Sequence, residues 1–277
     1  MNLITVDIGK CNKDGICAEV CPARILELDP KAGPKVLEGS AHACIGCGHC
    51  VSACPTGALD HRRSPLAAHT PIPAGFSLDP ETAAVFMRSR RSIRCYKDMP
   101  IPREQMIKLL DIARFAPSGH NSQGLSYLVV EGRENLLRVR EIVVDWMREV
   151  VRTQPALGKL FGMPPIIRAH EQGIDRVLRG APQLVVAHAP KNLLPAVGST
   201  TLALEYVELY APALGIGTCW AGYTQSCAQQ TPALPEFLKI PADRAVTGIL
   251  MVGYPEYSYH RLPPRNPLDV AWFRAGA

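Results

Sequence analysis

No long hydrophobic run occurs anywhere in this sequence. The opening residues, MNLITVDIGKC, reach a cysteine without the apolar stretch of a signal peptide, and no later segment offers the about 20 apolar residues of a spanning helix. The expectation is no membrane partner and a cytoplasmic setting. Also missing is a G-x-G-x-x-G run between a strand and a helix, so no dedicated nicotinamide-nucleotide domain is indicated. Charge of one sign is not in great excess. The formal balance is +5 with cysteine counted as neutral, and metal-bound thiolates and any bound phosphate would cancel most of it. It gives no support for nucleic acid as a partner. What the chain does have is cysteine, ten in 277 residues. In a small secreted protein these would read as disulfides. Here most fall in metal-cluster spacing, and a reducing compartment fits them best.

The stretch from Cys44 to Pro55, CIGCGHCVSACP, reads C-x₂-C-x₂-C-x₃-C-P. That is the run that wraps an iron–sulfur cubane with its first three thiolates and lends its fourth to a second cluster. A zinc site would more often present separated C-x₂-C pairs. An earlier segment, Cys11-Asn-Lys-Asp14-Gly-Ile-Cys17-Ala-Glu-Val-Cys21-Pro22, repeats the pattern with Asp14 where the second cysteine should stand. Because such runs exchange their last ligands, Cys21, Cys44, Cys47 and Cys50 should hold one 4Fe-4S cluster, and Cys11, Cys17 and Cys54 the other. Asp14 is then a fourth, harder ligand of a 4Fe-4S cluster, or marks a 3Fe-4S cluster, or is a solvated turn residue. LITVD reads as a short strand, and RILELD-PKAG-PKVLEG as a hairpin. His42 and His49 are given no role. This half, residues 1–62, resembles the two-cluster bacterial ferredoxins.

Residues 63–80 are Pro-rich and aperiodic and read as a stiff linker. From 81 to 277 the pattern changes. A helix led by Pro80 runs into Arg90, Arg91, Ser92 and Arg94, a group suited to a phosphate. IPREQMIKLLDIARFAPSGHNSQG reads as a helix ending at Pro117, followed by a loop of small and amide side chains. LSYLVVEG, PQLVVAHA and AVTGILMVGYP read as buried strands. GSTTLALEYVELYAPALGIGTCWAGY reads as an apolar helix, a Gly-rich turn and a further strand. The segment 152–180 is a charged, Pro- and Gly-punctuated insert, read as a lid, a substrate wall or a surface excursion. Cys95, Cys219 and Cys227 lie outside cluster spacing and read as buried, inert thiols.

Four marks in order, RRSIR, APSGHNSQ, ALGIGTCWAGY and VGYP followed by RLPPR, resemble the FMN-dependent nitroreductase family; Gly124 departs from it, since many members have Pro after Gln. The resemblance implies an α+β fold: a small ferredoxin-like two-cluster domain followed by a nitroreductase-like α+β sandwich, paired as an intertwined homodimer. It further implies that Arg90, Arg91, Ser92 and Arg94, joined by Arg261 and Arg265, meet the FMN phosphate. Ser118, Asn121 and Gln123 would touch the ring or ribityl chain. The N–H groups of Ala221 and Gly222 would approach the ring edge, with Trp220 packed nearby. His120 would orient an electrophile or give a proton, or else cap its own loop. The implied activity passes electrons from reduced ferredoxin or flavodoxin through the clusters to FMN, with NAD(P)H as a donor that docks over the flavin, and on to a nitroarene, quinone or activated alkene. The alternatives are an electron-transfer or redox-sensing protein serving a protein partner, and a specialised enzyme of the superfamily such as a reductive dehalogenase or a flavin-fragmenting enzyme.

Overall fold

The computed structural model describes residues 2–275. They form two compact units. The first runs to Leu78 and takes in Pro117–Gly124; the second comprises Asp79–Ala116 and the chain from Leu125 onward. The short piece 117–124 is the surprise, because a loop that follows a helix of the second unit gives no local sign that it joins the first.

In the first unit the order is β1 (Ile4–Val6), α1 (Ile16–Glu19), β2 (Leu26–Asp29), β3 (Gly33–Val36), α2 (His49–Ser52) and β4 (Leu59–His61). β1 pairs antiparallel with β4, and β2 with β3 in the expected hairpin. The Asp29 carboxylate closes the hairpin turn by accepting the N–H groups of Lys31 and Ala32. The core is small: Leu3, Ile4, Ile25, Leu26, Val51 and Leu59 around Cys17. So thin a core needs help from bound metal to stay folded. The expected linker is partly structured. Residues 66–68 form a turn of 3₁₀ helix, and His69 bonds to Ser52 Oγ at 3.0 Å and Ser64 Oγ at 2.9 Å. All of 63–78 falls within the first unit, and 69–79 carries no helix or strand.

The second unit begins with α3 (Pro80–Ser89). Asp79 caps it by accepting the Thr82 N–H at 2.8 Å, and Pro80 occupies the first helical position, where a missing N–H costs nothing. There follow α4 (Arg103–Asp111), β5 (Ser126–Glu131), α5 (Arg133–Thr153), α6 (Pro155–Leu160), α7 (Met163–Glu171), β6 (Gln183–Pro190), α8 (Ala196–Tyr210), β7 (Gly217–Trp220), α9 (Gly222–Gln230), α10 (Ala233–Phe237) and β8 (Arg244–Gly253). The sheet order is β5-β6-β8-β7, and every neighbouring pair is antiparallel. The central strands β6 and β8 are buried on both faces, and their side chains alternate between two cores. Leu184, Val186, Ile249 and Met251 pack with Val143 and Met147 of α5, Ile166 of α7 and Cys227 of α9. Val185, Ala187, Leu250 and Val252 pack with Leu109 of α4 and Leu204 and Val207 of α8. Helices thus cover both faces of one antiparallel sheet, the expected α+β sandwich.

Three sequence readings need correction. The expectation for β5 is a buried strand, yet it is an edge strand in which only Val130 is buried, because among the described residues no strand lies beyond it. The 152–180 insert is no surface excursion: Met163, Ile166, Val177 and Leu178 enter the core against α5. Cys95 is exposed, whereas Cys219 and Cys227 are buried; Ile93 takes the inward position on that segment instead.

Candidate metal centres and active site

The two cysteine runs fold into the same backbone. In the second run Gly46 (φ 64°), Gly48 (φ 73°) and Gly57 (φ 62°) take left-handed conformations. In the first run the equivalent residues Lys13 (φ 58°), Gly15 (φ 77°) and Arg24 (φ 51°) do the same, two of them without the freedom of glycine. α1 and α2 occupy matching places, each starting after the second of these residues. Asp14 is therefore presented by the same turn that presents Cys47.

Each run lines one cavity, and each cavity is completed by the other run. One small cavity is lined by Cys21, Cys44, Cys47 and Cys50. The other is lined by Cys11, Asp14, Cys17 and Cys54. The four thiols of the first cavity suit an iron–sulfur cubane, and the second offers three thiols with the harder Asp14 carboxylate in the fourth place. All ten cysteines are free thiols. Burial, countered by the N–H of Val51 and reinforced by Cys47 and Cys21, pushes Cys50 up to about 11. Burial also raises Cys17, and Asp14, Cys11 and Cys54 add to the rise. Thiols that are this reluctant to ionise alone need a cation to hold them as thiolates. Cys54 goes the other way: burial raises it, but the Thr56 hydroxyl and the N–H groups of Ala58, Leu59 and Thr56 outweigh burial and leave it low.

Asp14 Oδ1 also accepts the Ile16 N–H at 3.0 Å, so one carboxylate oxygen serves the turn and the other is free. Asp14→Cys is expected to give a four-iron cluster that survives oxygen and chelators longer than the native one. Unchanged iron content and EPR spectra in that variant would remove Asp14 from the cluster.

The turn at Cys44 is held from several sides. Gly46 N–H points at Cys44 Sγ at 3.4 Å. Arg63 donates to the Cys44 carbonyl. Asn121 Nδ2 donates to the carbonyls of Ile45 and Gly46, both at 3.2 Å. Gln123 Nε2 donates to Asn121 Oδ1, and Gln123 N–H to Ser118 Oγ, both at 3.2 Å. The loop expected to edge a flavin is thus bonded within the first unit, to the turn between Cys44 and Cys47. His120, Asn121 and Gln123 all have positive φ, near 50°. Three strained non-glycine residues in four positions mark a loop whose shape is imposed. The His120 ring is exposed. His61, on β4, was passed over in the sequence because nothing in its spacing marks it. It is 3% exposed and stands 3.4 Å from Cys44 Sγ.

In the second unit the basic run lies along β7. Ser92 forms a parallel bridge with Thr218, and Ile93 N–H donates to the Thr218 carbonyl at 2.8 Å. The run is thereby set beside the strand that ends at Trp220. Arg91 stacks over the Tyr259 ring at 5.5 Å and lines an open groove of about 960 Å³ with Ser89, Thr218, Tyr257 and Tyr259. Arg94 is exposed, with a single long contact to the Ser92 carbonyl. Arg90 is turned inward: its guanidinium meets Glu205 at 3.4 Å and Glu208 at 3.6 Å. Ala221 N–H donates to the Ile249 carbonyl at 2.9 Å, which corrects its expected place as a free donor. Gly222 opens α9 and is exposed; its N–H is among the first of the helix, which have no intrahelical acceptor. Arg261 and Arg265 lie in an exposed C-terminal segment without helix or strand. Arg91 faces the groove, Arg94 is exposed, and Ser92 is held beside β7 by its bridge to Thr218. Arg90 and Ala221 are already committed within the fold. Sequence reading also missed Glu208, a buried carboxylate that only its helical spacing from Glu205 and Leu204 could have flagged.

A pair of thiol-lined cavities in one unit, and an open groove faced by Arg91 and Glu208 in the other, suit a redox protein built from a cluster module and an enzyme domain. The nitroreductase family profile matches residues 87–254, and a 4Fe-4S dicluster domain profile matches 10–58. The chain belongs to the nitroreductase family, as a reductase with an N-terminal ferredoxin-type domain. It is similar to a putative NADH dehydrogenase/NAD(P)H nitroreductase of Archaeoglobus fulgidus, 30% identical over 61% of this chain and 82% of that protein. It is also similar to an iodotyrosine deiodinase of Thermotoga neapolitana, 26% identical over 67% of this chain and 94% of that one. A Desulfitobacterium hafniense nitroreductase crystallised with FMN shares the fold, with a TM-score of 0.56 at 21% identity, covering 71% of this chain and all of that one. Among the described residues no helix is long and apolar enough to cross a membrane.

Proposed function

We propose that this chain is an FMN-dependent reductase with its own electron inlet. Its clusters would take single electrons from reduced ferredoxin or flavodoxin, NAD(P)H would instead give hydride directly at the flavin, and the flavin domain would deliver electrons in pairs to a small flat electrophile. What supports this is the joining of two cysteine-lined cavities, one of them with Asp14 in place of a fourth thiol, to a nitroreductase domain in one polypeptide. FMN, when bound, exchanges electrons one at a time on one side and two at a time on the other. The protein's part is placement. Arg91 and Arg94, joined by Arg261 and Arg265, would neutralise the phosphate through charge-assisted bonds. The Ser92 hydroxyl would fix the ribityl chain. The Gly222 N–H, at the positive end of α9, would favour negative charge at the ring edge, with Trp220 packed beside it. Ser118, Asn121 and Gln123 hold their own loop against the Ile45–Gly46 turn of the first unit.

A homodimer supports the same reading. Val85, Phe86 and Met87 of α3 are exposed, as are Leu268, Trp272 and Phe273 in the C-terminal segment. Apolar surface of that extent on two segments calls for a partner surface, and a second copy of the chain supplies it.

The resemblance to deiodinases favours one further reading, reductive removal of halide from an aromatic ring. The test is anaerobic. The protein is reduced with dithionite, freed of excess, and mixed with a nitroarene, a quinone or an iodophenol while flavin and cluster absorbance are followed. Return of both chromophores with the nitroarene or quinone supports the proposal. Return only with the iodophenol, with iodide released, supports dehalogenation. No return with any of them favours a carrier serving a protein partner.

A further inference from the structure

We propose that His61 sets the reduction potential of the cluster held by Cys21, Cys44, Cys47 and Cys50, by donating a hydrogen bond from Nε2 to the Cys44 sulfur. The proposal rests on the ligand assignment above. His61 Nδ1 accepts the Arg63 N–H at 3.1 Å, so in the neutral ring the proton sits on Nε2, the nitrogen 3.4 Å from Cys44 Sγ. The tautomer is thus fixed by the backbone two residues away. The ring has little room to turn: it is buried, lines the cavity, and its residue is paired with Ile4 across the β1–β4 ladder.

The internal repeat supplies its own control. His61 stands seven residues after Cys54, and Leu28 stands seven residues after Cys21. Leu28 lines the cavity of Cys11, Asp14, Cys17 and Cys54. One cavity therefore has an imidazole donor where its twin has an aliphatic side chain. Reducing a cluster adds negative charge to its sulfurs, so a donor aimed at a ligand sulfur stabilises the reduced form more than the oxidised form and raises the potential. The Gly46 N–H on the same sulfur and the Arg63 guanidinium on the Cys44 carbonyl act in the same direction. The asymmetry at His61 makes the Cys44 cluster the easier of the two to reduce, relative to a protein with Leu in both places.

The test is an EPR-monitored redox titration of the holoprotein. His61→Leu is expected to make reduction of one cluster about tenfold less favourable, a shift of about 59 mV downward for one electron, and to leave the other cluster in place. His61→Gln, which keeps a donor at the end of the side chain, should stay within about threefold of the native equilibrium, a rescue that a purely steric role would not give. Full iron content with an unmoved potential in His61→Leu would overturn the proposal. Should that variant assemble too little iron, the native protein carries the test: histidine labelled with ¹⁵N at Nε2 should couple to the reduced cluster in pulsed EPR, and the coupling should vanish in His61→Gln. Its absence from the native protein overturns the proposal equally. Cys44→Ser separates the two readings. If iron and spectra are unaltered, the ligand assignment falls and His61 with it. If one cluster changes while His61→Leu leaves the potential unmoved, only the role of His61 falls.

Discussion

Cys21→Ala is expected to abolish the cluster of the second cysteine run while sparing that of the first, although Cys21 belongs to the first. Cys54→Ala should do the reverse. Each variant should lose about half of the bound iron, because the two cavities share no ligand. Iron analysis with EPR of the reduced protein reads the result directly. Loss of both clusters in either variant would mean that the first unit folds as one cooperative whole around its metal, which its small core makes a real competitor. Selective loss of the cluster nearest in sequence would refute the crossed pairing.

The second large effect lies at Arg90. Glu208 is 2% exposed. It accepts from Thr218 Oγ1 at 3.0 Å, and Arg90 is the cation facing it, itself only a quarter exposed. Removing the guanidinium strands a buried carboxylate, and Arg90→Met should cost about 3 kcal/mol, the lower end of what breaking a buried pair costs. Burial already raises the Glu208 carboxyl above its ordinary range, with the Arg90 charge and the Thr218 hydroxyl pulling it down. Without Arg90 it rises further. A raised folded-state value gives stability that is present below the unfolded value and is lost as pH rises through the folded one. Urea midpoints should therefore show the variant hurt most at about pH 8 and least at about pH 5. Arg90→Met with Glu208→Gln should regain most of the loss. FMN retained by the double variant would confirm that Arg90 serves the fold; FMN lost from it would restore Arg90 to the phosphate.

Much of this was legible in the sequence for physical reasons. Cluster ligands must recur at fixed spacing, so which cysteines line each cavity was readable from their order in the chain. Strands β6 and β8 announced themselves as unbroken apolar runs because both faces are covered. α5 was not anticipated, although Val139, Ile142, Val143, Trp146, Met147 and Val150 give it a clear helical stripe; the charged residues between them hid the period. Burial of β5 was misjudged because an edge strand and a central one share composition, and only topology separates them. His61, Glu208 and the bonds of Asn121 depend on contacts between residues far apart in the chain, which no local pattern encodes.

The grouping of Pro117–Gly124 with the first unit also bears on how the protein is made. At about 5–20 residues per second, a ribosome that has finished Leu78 needs a few seconds more to reach the Asn121 amide that ties down Ile45 and Gly46. The nascent cluster module therefore waits, one loop short of closure, while the first helices of its neighbour emerge. Cutting the gene after residue 78 would yield a permanently unfinished module, and the seam between the two halves lies in the fold rather than at any single point along the chain.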